Sequence, residues 1–512
     1  MFCVSLARLD FLSRGFLLTE EKPTYWSILN AEIKSMEQLD IPLLLTNSSS
    51  TDFQLSHEEI IPQLLSENSI DKVLDNIQQL SEIDKQKQIS FIKSAFTARF
   101  LQEPQWSDNI DSHSIGNHDT EKLEDTPDCD LLIKQAIRIA ETIENQAFRG
   151  EDNSLAWLGL VYSPAMSGFR FQPLGQFGLA DGNLGIALFI AALAKITGDE
   201  RWHNLALQIL KPIENALKEM NNEEKSRFIR IIGIGGFNGL GASAYTLIQI
   251  AQLLSEPSLI PIADDILSMI TIDEIVNLPE LDVISGCAGT LLGLTGCLSS
   301  KVDNSSEYLR KAIACGDYLL QHQAPPEAEV SSRNLGFWLG IAGIAYALLR
   351  LYEVTQDERY LTAAKNAIAL ESKAANSYDS NLTQLKIEIA FGRLAGINLI
   401  GNSQIRTEID TAIEIIQQHK IWGVDNLFWG NCGRLELLLV ASEKLEKPEL
   451  KKLINNCANK IAAKIAANKL NLFINYPSEI SHPGLLHGTA GIGYQLLRIA
   501  YPQLLPSILL FQ

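Results

Sequence analysis

The sequence lacks the features that mark several common classes of protein. Its 7 cysteines contain no CxxC pair, and no block of consecutive Lys and Arg residues is present. No window reaches the roughly 18 uninterrupted apolar residues that a membrane span needs. The apolar stretch at the N-terminus is too short for a signal peptide and has no A-x-A-like cleavage site. We therefore expect a cytoplasmic protein with reduced thiols and no membrane span.

Positive charge is also scarce. The 42 Lys and Arg residues are outnumbered by 61 Asp and Glu residues, which gives a formal net charge of −19 over 512 residues. Proteins bind nucleic acids largely by neutralising phosphates, and this balance does not favour such binding. Hydrophobic residues make up 46% of the chain, which is enough for a large core. The composition predicts a folded protein without a nucleic-acid partner.

Three regions of the chain differ in composition and in the spacing of their apolar residues. Residues 1–103 place apolar side chains at helical spacing and predict a small helical region. Residues 104–130 lose almost all apolar side chains and gain Asp, Ser, Asn and His. Such a segment cannot offset its ordering entropy by burial, so it is predicted to be an acidic linker. In residues 131–512, apolar stretches alternate with glycine-containing turns.

One short pattern occurs seven times in this last region. A Gly-x-x-Gly element, or a near variant, precedes an apolar stretch in segments that begin at Asp181, Gly236, Ser285, Leu339, Phe391, Trp429 and His487. Each motif predicts a tight turn into a helix that is apolar on nearly every face and is therefore buried. Repeats of this kind predict stacked helical hairpins.

The helix that follows each buried helix is amphipathic. After the fourth motif, for example, Ala364 and Ile368 lie on the apolar side, with Lys365 and Glu371 on the polar side. Buried inner helices that alternate with half-exposed outer helices close naturally into a barrel. The sequence therefore predicts an all-α fold, an α/α toroid of seven helical hairpins whose motifs meet at one end.

The seven motifs together resemble the lanthionine synthetase C-like cyclase family. The likeness is in particular to the C-terminal cyclase domain of class II (LanM-type) lanthipeptide synthetases, and it covers residues 131–512. Segments that carry it include Gly236–Gly241, Asp282–Gly286 and the final stretch His482–Tyr494. The resemblance implies a protein of lanthipeptide biosynthesis, with a precursor peptide as its partner.

Residues 1–103 resemble, more weakly, the end of the dehydratase domain that precedes the cyclase in LanM enzymes. Trp26–Leu29 and Leu39–Pro42 carry this likeness. The kinase-like catalytic core of that domain has no counterpart in the sequence. The resemblance therefore implies a split or truncated synthetase without dehydratase activity of its own, and a separate dehydratase or synthetase chain as a second partner.

The resemblance also implies where zinc binds in active members of the family. A Cys in the fifth motif and a Cys-His pair in the sixth hold the ion, which lowers the pKa of a substrate cysteine and makes it a nucleophile. Here Ala390, Phe428 and Trp429 stand at these positions, and Leu339 replaces the His of the fourth motif. These side chains bind no metal, so we expect no metal cofactor.

Two residues remain as candidates for acid–base catalysis. Asp282 matches the aspartate of the family's third motif, although a carboxylate before a helix is also a common N-cap. His487 is either a proton acceptor at the mouth of the last motif or a hydrogen-bonding loop residue. His482 has the same two interpretations, and Cys287 and Cys432 are expected to be small buried residues.

Four aromatic residues, with Phe337 as a fifth beside them, are predicted to lie near the same end of the barrel: Trp338, Phe391, Phe428 and Trp429. They either fill the core or line a peptide-binding groove. Our hypothesis is a degenerate LanM-like protein that binds a precursor peptide or a partner synthetase without a zinc site. The alternatives are a zinc-independent cyclase, which adds peptide cysteines to dehydroalanine or dehydrobutyrine, and a non-functional fragment of a split synthetase.

Overall fold

A computed structural model describes most of the chain. The described residues are 43–55, 60–100, 128–150, 152–163, 168–299, 305–322, 334–375, 383–473 and 482–512, with Ile28, Glu32, Ser35 and Gln38. The chain divides into two units, Met1–Ile89 and Ser90–Gln512. The predicted linker 104–130 and the segments Trp26–Leu29 and Leu39–Pro42 lie almost wholly outside the described residues.

The first unit contains a small antiparallel sheet that the sequence analysis did not predict. Strands β1 (Leu44–Thr46), β2 (Phe53–Leu55) and β3 (Ile60–Ile61) pair in this order. Strands of two or three residues are too short to show the alternation that marks a strand in a sequence. Helices α1 (Ser69–Gln78) and α2 (Glu82–Phe100) come next along the chain.

The described residues of the second unit are mostly helical. The helices are α3 (Cys129–Gln146), α4 (Asn183–Thr197), α5 (Glu200–Glu219), α6 (Asn222–Ile232), α7 (Leu240–Leu254), α8 (Ile260–Ser268), α9 (Ile272–Val276), α10 (Cys287–Ser299), α11 (Ser305–Gln321), α12 (Ile341–Thr355), α13 (Glu358–Ala375), α14 (Thr383–Ile400), α15 (Ser403–His419), α16 (Asn431–Lys444), α17 (Leu450–Ala466) and α18 (Thr489–Ala500). Short 3-10 helices lie at Pro257–Leu259 and Ile508–Leu510.

Two antiparallel ribbons connect α3 to α4. In the first, β4 (Phe148–Arg149) pairs with β5 (Leu155–Ala156). In the second, β6 (Leu158–Ser163) pairs with β7 (Gly168–Pro173). These ribbons and the small sheet of the first unit are the strands of the described residues, and the rest of the regular structure is helical.

Seven helices form a closed inner ring, as the repeats predict. They are α4, α7, α10, α12, α14, α16 and α18; each packs against the next, and α18 packs against α4. Helices α5, α8, α11, α13, α15 and α17 lie outside the ring, each packed against the inner helix that precedes it in the chain. Helix α3 packs against α18 and completes the outer layer. The predicted all-α toroid of seven hairpins is confirmed.

Burial explains why the inner and outer helices differ in sequence. Residues 183–194 of α4 are all buried, as expected of a helix that is covered on every side. In the outer helix α13, Ala364 is buried and Lys365 is exposed, as predicted. The expectation for Glu371 is wrong, because this residue is buried and forms an ion pair with Arg393 of α14 at 2.6 Å.

Backbone hydrogen bonds join neighbouring motifs at one end of the ring. The Val283 N–H donates to the Trp338 carbonyl at 3.1 Å, which connects the third motif to the fourth. The Leu486 N–H donates to the Ala180 carbonyl at 2.8 Å, which connects the last motif to the first. The motif loops therefore support one another around the end of the barrel, and the second bond contributes to closing the ring.

The fifth motif departs from the prediction that each glycine pair begins an inner helix. Phe391 and Gly392 lie in the middle of α14, which begins at Thr383. The residues from Thr383 to Phe391 include no Gly, Pro or Asn that would favour a turn there, so the helix continues through the motif. Ala390, which was expected to stand at the position of the family's first zinc ligand, is consequently a buried helical residue.

Two further expectations concern membranes and thiols. No helix of the described residues is long and apolar enough to cross a membrane. The six cysteines in the described part of the chain form no disulfide.

Candidate functional site

One buried carboxylate contacts two imidazoles where the first and last motifs meet. The Nδ1 of His487 lies 2.9 Å from each carboxylate oxygen of Asp181. The Nε2 of His482 lies 3.2 Å from Asp181 Oδ1. Asp181 precedes α4 and both histidines precede α18, so closure of the ring brings these distant segments together.

The surroundings of Asp181 favour its ionised form. Burial opposes ionisation, but the charges and hydrogen bonds of His487 and His482 outweigh it and hold the pKa of Asp181 well below its usual range. All three side chains are buried. Within the described part of the chain, they are also the single group of three potential metal ligands whose ligand atoms lie within 4.8 Å of one another.

Both histidines were predicted from the sequence as candidate site residues, whereas Asp181 was not. A signal was present, because Asp181 and His487 each precede the first glycine of their motifs. Equivalent positions in neighbouring repeats face the same end of a closed ring. In a closed ring the first motif is next to the last, so Asp181 and His487 are expected to lie side by side.

The four aromatic residues predicted to cluster lie together beside His487; we call them the aromatic cluster. The ring of Trp338 is central, with its centroid 4.6 Å from that of Phe428 and 6.3 Å from that of Phe391. The Trp429 ring lies 4.6 Å from Phe428 and 4.9 Å from His487. Trp338 and Phe391 are core residues, whereas Trp429 is half-buried and is the member open to solvent.

Asp282 caps the turn that leads into α10. Its Oδ1 accepts a hydrogen bond from the Ser285 N–H at 2.7 Å. Burial raises the pKa of Asp282, and the hydrogen bond from the Ser285 backbone opposes this rise. Ser285 lies two residues before α10 begins, so Asp282 stabilises the loop that leads into the helix and not the helix N-terminus itself. Catalytic roles for Asp282 and His487 stay predictions.

Glu388 is a further polar residue of this region that the sequence analysis did not single out. It lines a narrow cleft together with the aromatic cluster. Burial raises the pKa of Glu388 to about 8, although hydrogen bonds from Gln384 and from the backbone of Phe337 and Trp338 lower it. Its carboxyl group therefore holds a proton near neutral pH. A lone acidic residue between two isoleucines was the available signal in the sequence.

Cys287 and Cys432 are buried, as expected of small core residues. The Cys287 thiol lies 3.5 Å from the Cys315 carbonyl oxygen. Burial raises the pKa of Cys432 well above its usual value, so its thiol stays protonated. Neither cysteine belongs to the group formed by Asp181 and the two histidines.

A closed ring of seven inner helices, with glycine motifs and polar residues at one end, defines the class of α/α toroids. The family of lanthionine synthetase C-like proteins matches residues 174–510, which is more than half of the chain. The chain therefore belongs to the lanthionine synthetase C-like family.

Comparison with individual proteins adds little to this family assignment. No curated protein matches the chain. Among solved structures it is similar to a nisin cyclase, with a TM-score of 0.49 and 17% identity over 64% of this chain and 90% of that chain. It is also similar to a GH76 alpha-mannanase of Bacteroides thetaiotaomicron, with a TM-score of 0.34 and 16% identity over 58% and 85%. Neither likeness is close enough to indicate an activity.

The zinc ion of the active family does not fit the residues that stand at its expected positions. Ala390 is buried within α14 and has no donor atom. The rings of Phe428 and Trp429 pack on each other with centroids 4.6 Å apart. Zinc in proteins is bound by thiolate, imidazole or carboxylate groups, and none of these three side chains supplies one.

Proposed function

We propose that this protein is a degenerate, LanM-like member of the family that binds a precursor peptide, or the synthetase that carries one, without using the family's zinc site. The observation that carries the proposal is the aromatic packing at two of the three ligand positions. Phe428 packs between Trp338 and Trp429, with centroids 4.6 Å from each, so aromatic rings take the place of metal ligands.

Apolar side chains at the end of the ring where the motif loops meet support peptide binding. Trp429 is half-buried, and Leu339, next to Trp338 in the chain, is 44% exposed. Half-exposed aromatic and aliphatic side chains around a cleft are the groups that anchor peptides. Members of the family act on lanthipeptide precursors, so we propose a peptide that contains Ser, Thr and Cys as the ligand. In this proposal, a separate chain dehydrates the peptide in the cytoplasm.

Peptide binding is testable with the full chain and a defined probe. The probe is a fluorescein-labelled peptide with one cysteine and one dehydroalanine, and its anisotropy reports binding. We expect saturable binding that Leu339→Ala and Trp429→Ala weaken at least tenfold, equivalent to about 1.4 kcal/mol. Leu504→Ala is the matched control, since Leu504 is 50% exposed and lies beyond the C-terminal end of α18.

The same samples distinguish the alternatives. Ring closure consumes the free thiol, so alkylation followed by mass spectrometry measures it. We expect the thiol to react with the alkylating agent equally with and without the protein. Thiol consumption above the protein-free rate would establish a zinc-independent cyclase instead. Absence of both binding and ring closure would favour the non-functional fragment.

A further inference from the structure

We propose that Asp181, His482 and His487 bind a divalent transition-metal ion, with zinc as the ion to test. The site lies where the first motif meets the last. It is distinct from the family's zinc site, which belongs to the fifth and sixth motifs, and it does not depend on whether the protein binds a peptide.

The three side chains supply a recognised set of zinc ligands, one carboxylate oxygen and two imidazole nitrogens. Tetrahedral zinc with bonds of about 2.0–2.1 Å separates its ligand atoms by about 3.3 Å. The measured distances from Asp181 Oδ1 are 3.2 Å to His482 Nε2 and 2.9 Å to His487 Nδ1. If each of these two distances increased by less than about half an ångström, the imidazole nitrogens would lie as far from the carboxylate oxygen as the ligands of tetrahedral zinc lie from one another.

Backbone contacts hold the ligands in place before any ion binds. The Leu486 N–H donates to the Ala180 carbonyl at 2.8 Å, one residue before Asp181 in the chain. The Thr489 N–H donates to the His482 carbonyl at 2.9 Å. Ligands that are already ordered lose little conformational entropy on binding, so the contacts favour affinity.

Glycines allow the close approach of the two loops. A Cβ atom at Gly484 would lie 3.0 Å from the Asp181 Cα. A Cβ atom at Gly159 would lie 2.9 Å from the Nδ1 of His482. Side chains at these two positions would press the ligands out of place, and the glycines therefore help to form the group.

The burial of His482 is poorly compensated without an ion. Its side chain is fully buried, and its Nδ1 has no hydrogen-bond partner among the described residues. A single contact of 3.2 Å with Asp181 offsets only part of the cost of removing an imidazole from water. A metal–ligand bond at Nε2 would replace this contact by a stronger interaction, and it would leave Nδ1 unchanged.

Aromatic rings surround part of the site formed by Asp181, His482 and His487. The His487 ring centroid lies 5.2 Å from that of Phe428 and 4.9 Å from that of Trp429. The His482 ring lies 6.1 Å from Phe473. Such apolar neighbours strengthen the attraction between a cation and the Asp181 carboxylate. Three protein ligands leave one position of a tetrahedral ion for water.

The first test is a zinc titration of the chelator-treated full chain in competition with a chromophoric chelator. We expect one zinc per chain by elemental analysis. Asp181→Asn, His482→Gln and His487→Gln should each weaken zinc binding at least about a hundredfold, more than a change in the outer shell of a metal site. The matched control is His203→Gln, which removes another histidine that contacts a carboxylate, here Glu256 at 3.1 Å; it should bind zinc as wild type does.

The second test uses the wild-type chain alone, so it does not depend on how the variants fold. X-ray absorption of the zinc-loaded protein should show nitrogen and oxygen neighbours at about 2.0–2.2 Å. A sulfur neighbour at about 2.3 Å would place the ion on a cysteine and overturn the proposal. Failure of the wild type to bind zinc, or full affinity in folded ligand variants, would overturn it as well. Peptide binding is measured separately, so either proposal can fail while the other stands.

Discussion

Glu436 and Arg498 form a buried ion pair that joins α16 to α18, the last two helices of the inner ring. The Arg498 Nε donates to the two carboxylate oxygens of Glu436 at 3.0 and 2.8 Å, and the Arg498 and Glu436 side chains are 5% and 1% exposed, respectively. The Arg498 guanidinium also donates to the Leu505 carbonyl, and the Ser507 hydroxyl donates to Glu436. The pair therefore attaches the C-terminal segment to the ring.

Replacement of Arg498 by Met should destabilise the protein by about 3–5 kcal/mol, because it leaves the Glu436 carboxylate buried without its partner. Urea denaturation measures the free energy of unfolding. The control is Lys218→Met, since the Lys218–Glu214 pair is exposed and should contribute less than about 1 kcal/mol. Equal effects of the two substitutions would contradict a structural role for the buried pair.

Among the glycines at the end of the ring where the motif loops meet, Gly236 is the one whose replacement should lower the free energy of unfolding most. Its φ is +69°, and a Cβ atom would lie 1.6 Å from the Ile284 carbonyl oxygen. Gly236→Ala should cost about 3 kcal/mol or more, from backbone strain and overpacking together. Gly198→Ala tests the strain alone, because Gly198 has φ +68° but no described atom within 4 Å of a Cβ. It should cost about 1–2 kcal/mol in thermal or urea unfolding, and a larger loss there would contradict this separation.

Glu388 should make stability depend on pH. The pKa of Glu388 is about 8 in the folded protein, against a usual value of 4.5. Between pH 4.5 and about pH 8, the folded state therefore holds the proton of the Glu388 carboxyl group more tightly than the unfolded state does. The resulting stability is fully present below pH 4.5 and is lost as the pH rises through about 8. Glu388→Gln should therefore gain stability relative to wild type between pH 5 and pH 8.5, by up to about 4 kcal/mol.

Urea unfolding at the two pH values measures this effect. Glu274→Gln is the control, because Glu274 is exposed in the first turn of α9. Parallel pH profiles for Glu388→Gln and wild type would show that Glu388 titrates alike in the folded and unfolded states.

Asp282 can be tested as a cap and as a catalyst with two substitutions. Asp282→Asn keeps an oxygen that can accept the Ser285 N–H, so it should change stability by less than about 0.5 kcal/mol and leave peptide affinity unchanged. Asp282→Ala removes the acceptor and should cost about 1 kcal/mol in thermal unfolding. If the wild type forms rings and Asp282→Asn does not, the carboxylate is catalytic and the cap interpretation is insufficient.

Local patterns in the sequence were enough to predict the ring. The seven glycine motifs and the uniformly apolar stretches after them specify turns and buried helices, because each depends on residues close together in the chain. The resemblance implies metal ligands at the positions of Ala390, Phe428 and Trp429, and their replacement there stays a prediction from residue type alone. The continuation of α14 through the fifth motif was not predicted, because the repeat pattern indicates a turn there although the residues before it favour a helix.

Contacts between distant segments required the tertiary structure. Asp181 lies 301 residues from His482 and 306 from His487 in the chain, and only closure of the ring makes their motifs neighbours. The burial of Glu371 against Arg393, and of Glu388 beside the aromatic cluster, likewise depends on which helices meet. The sequence by itself determined most of the helices of the ring and their apolar faces, because side-chain periodicity is local. The packed ring decided which polar groups face each other, because their burial and charge depend on neighbours far away in the chain.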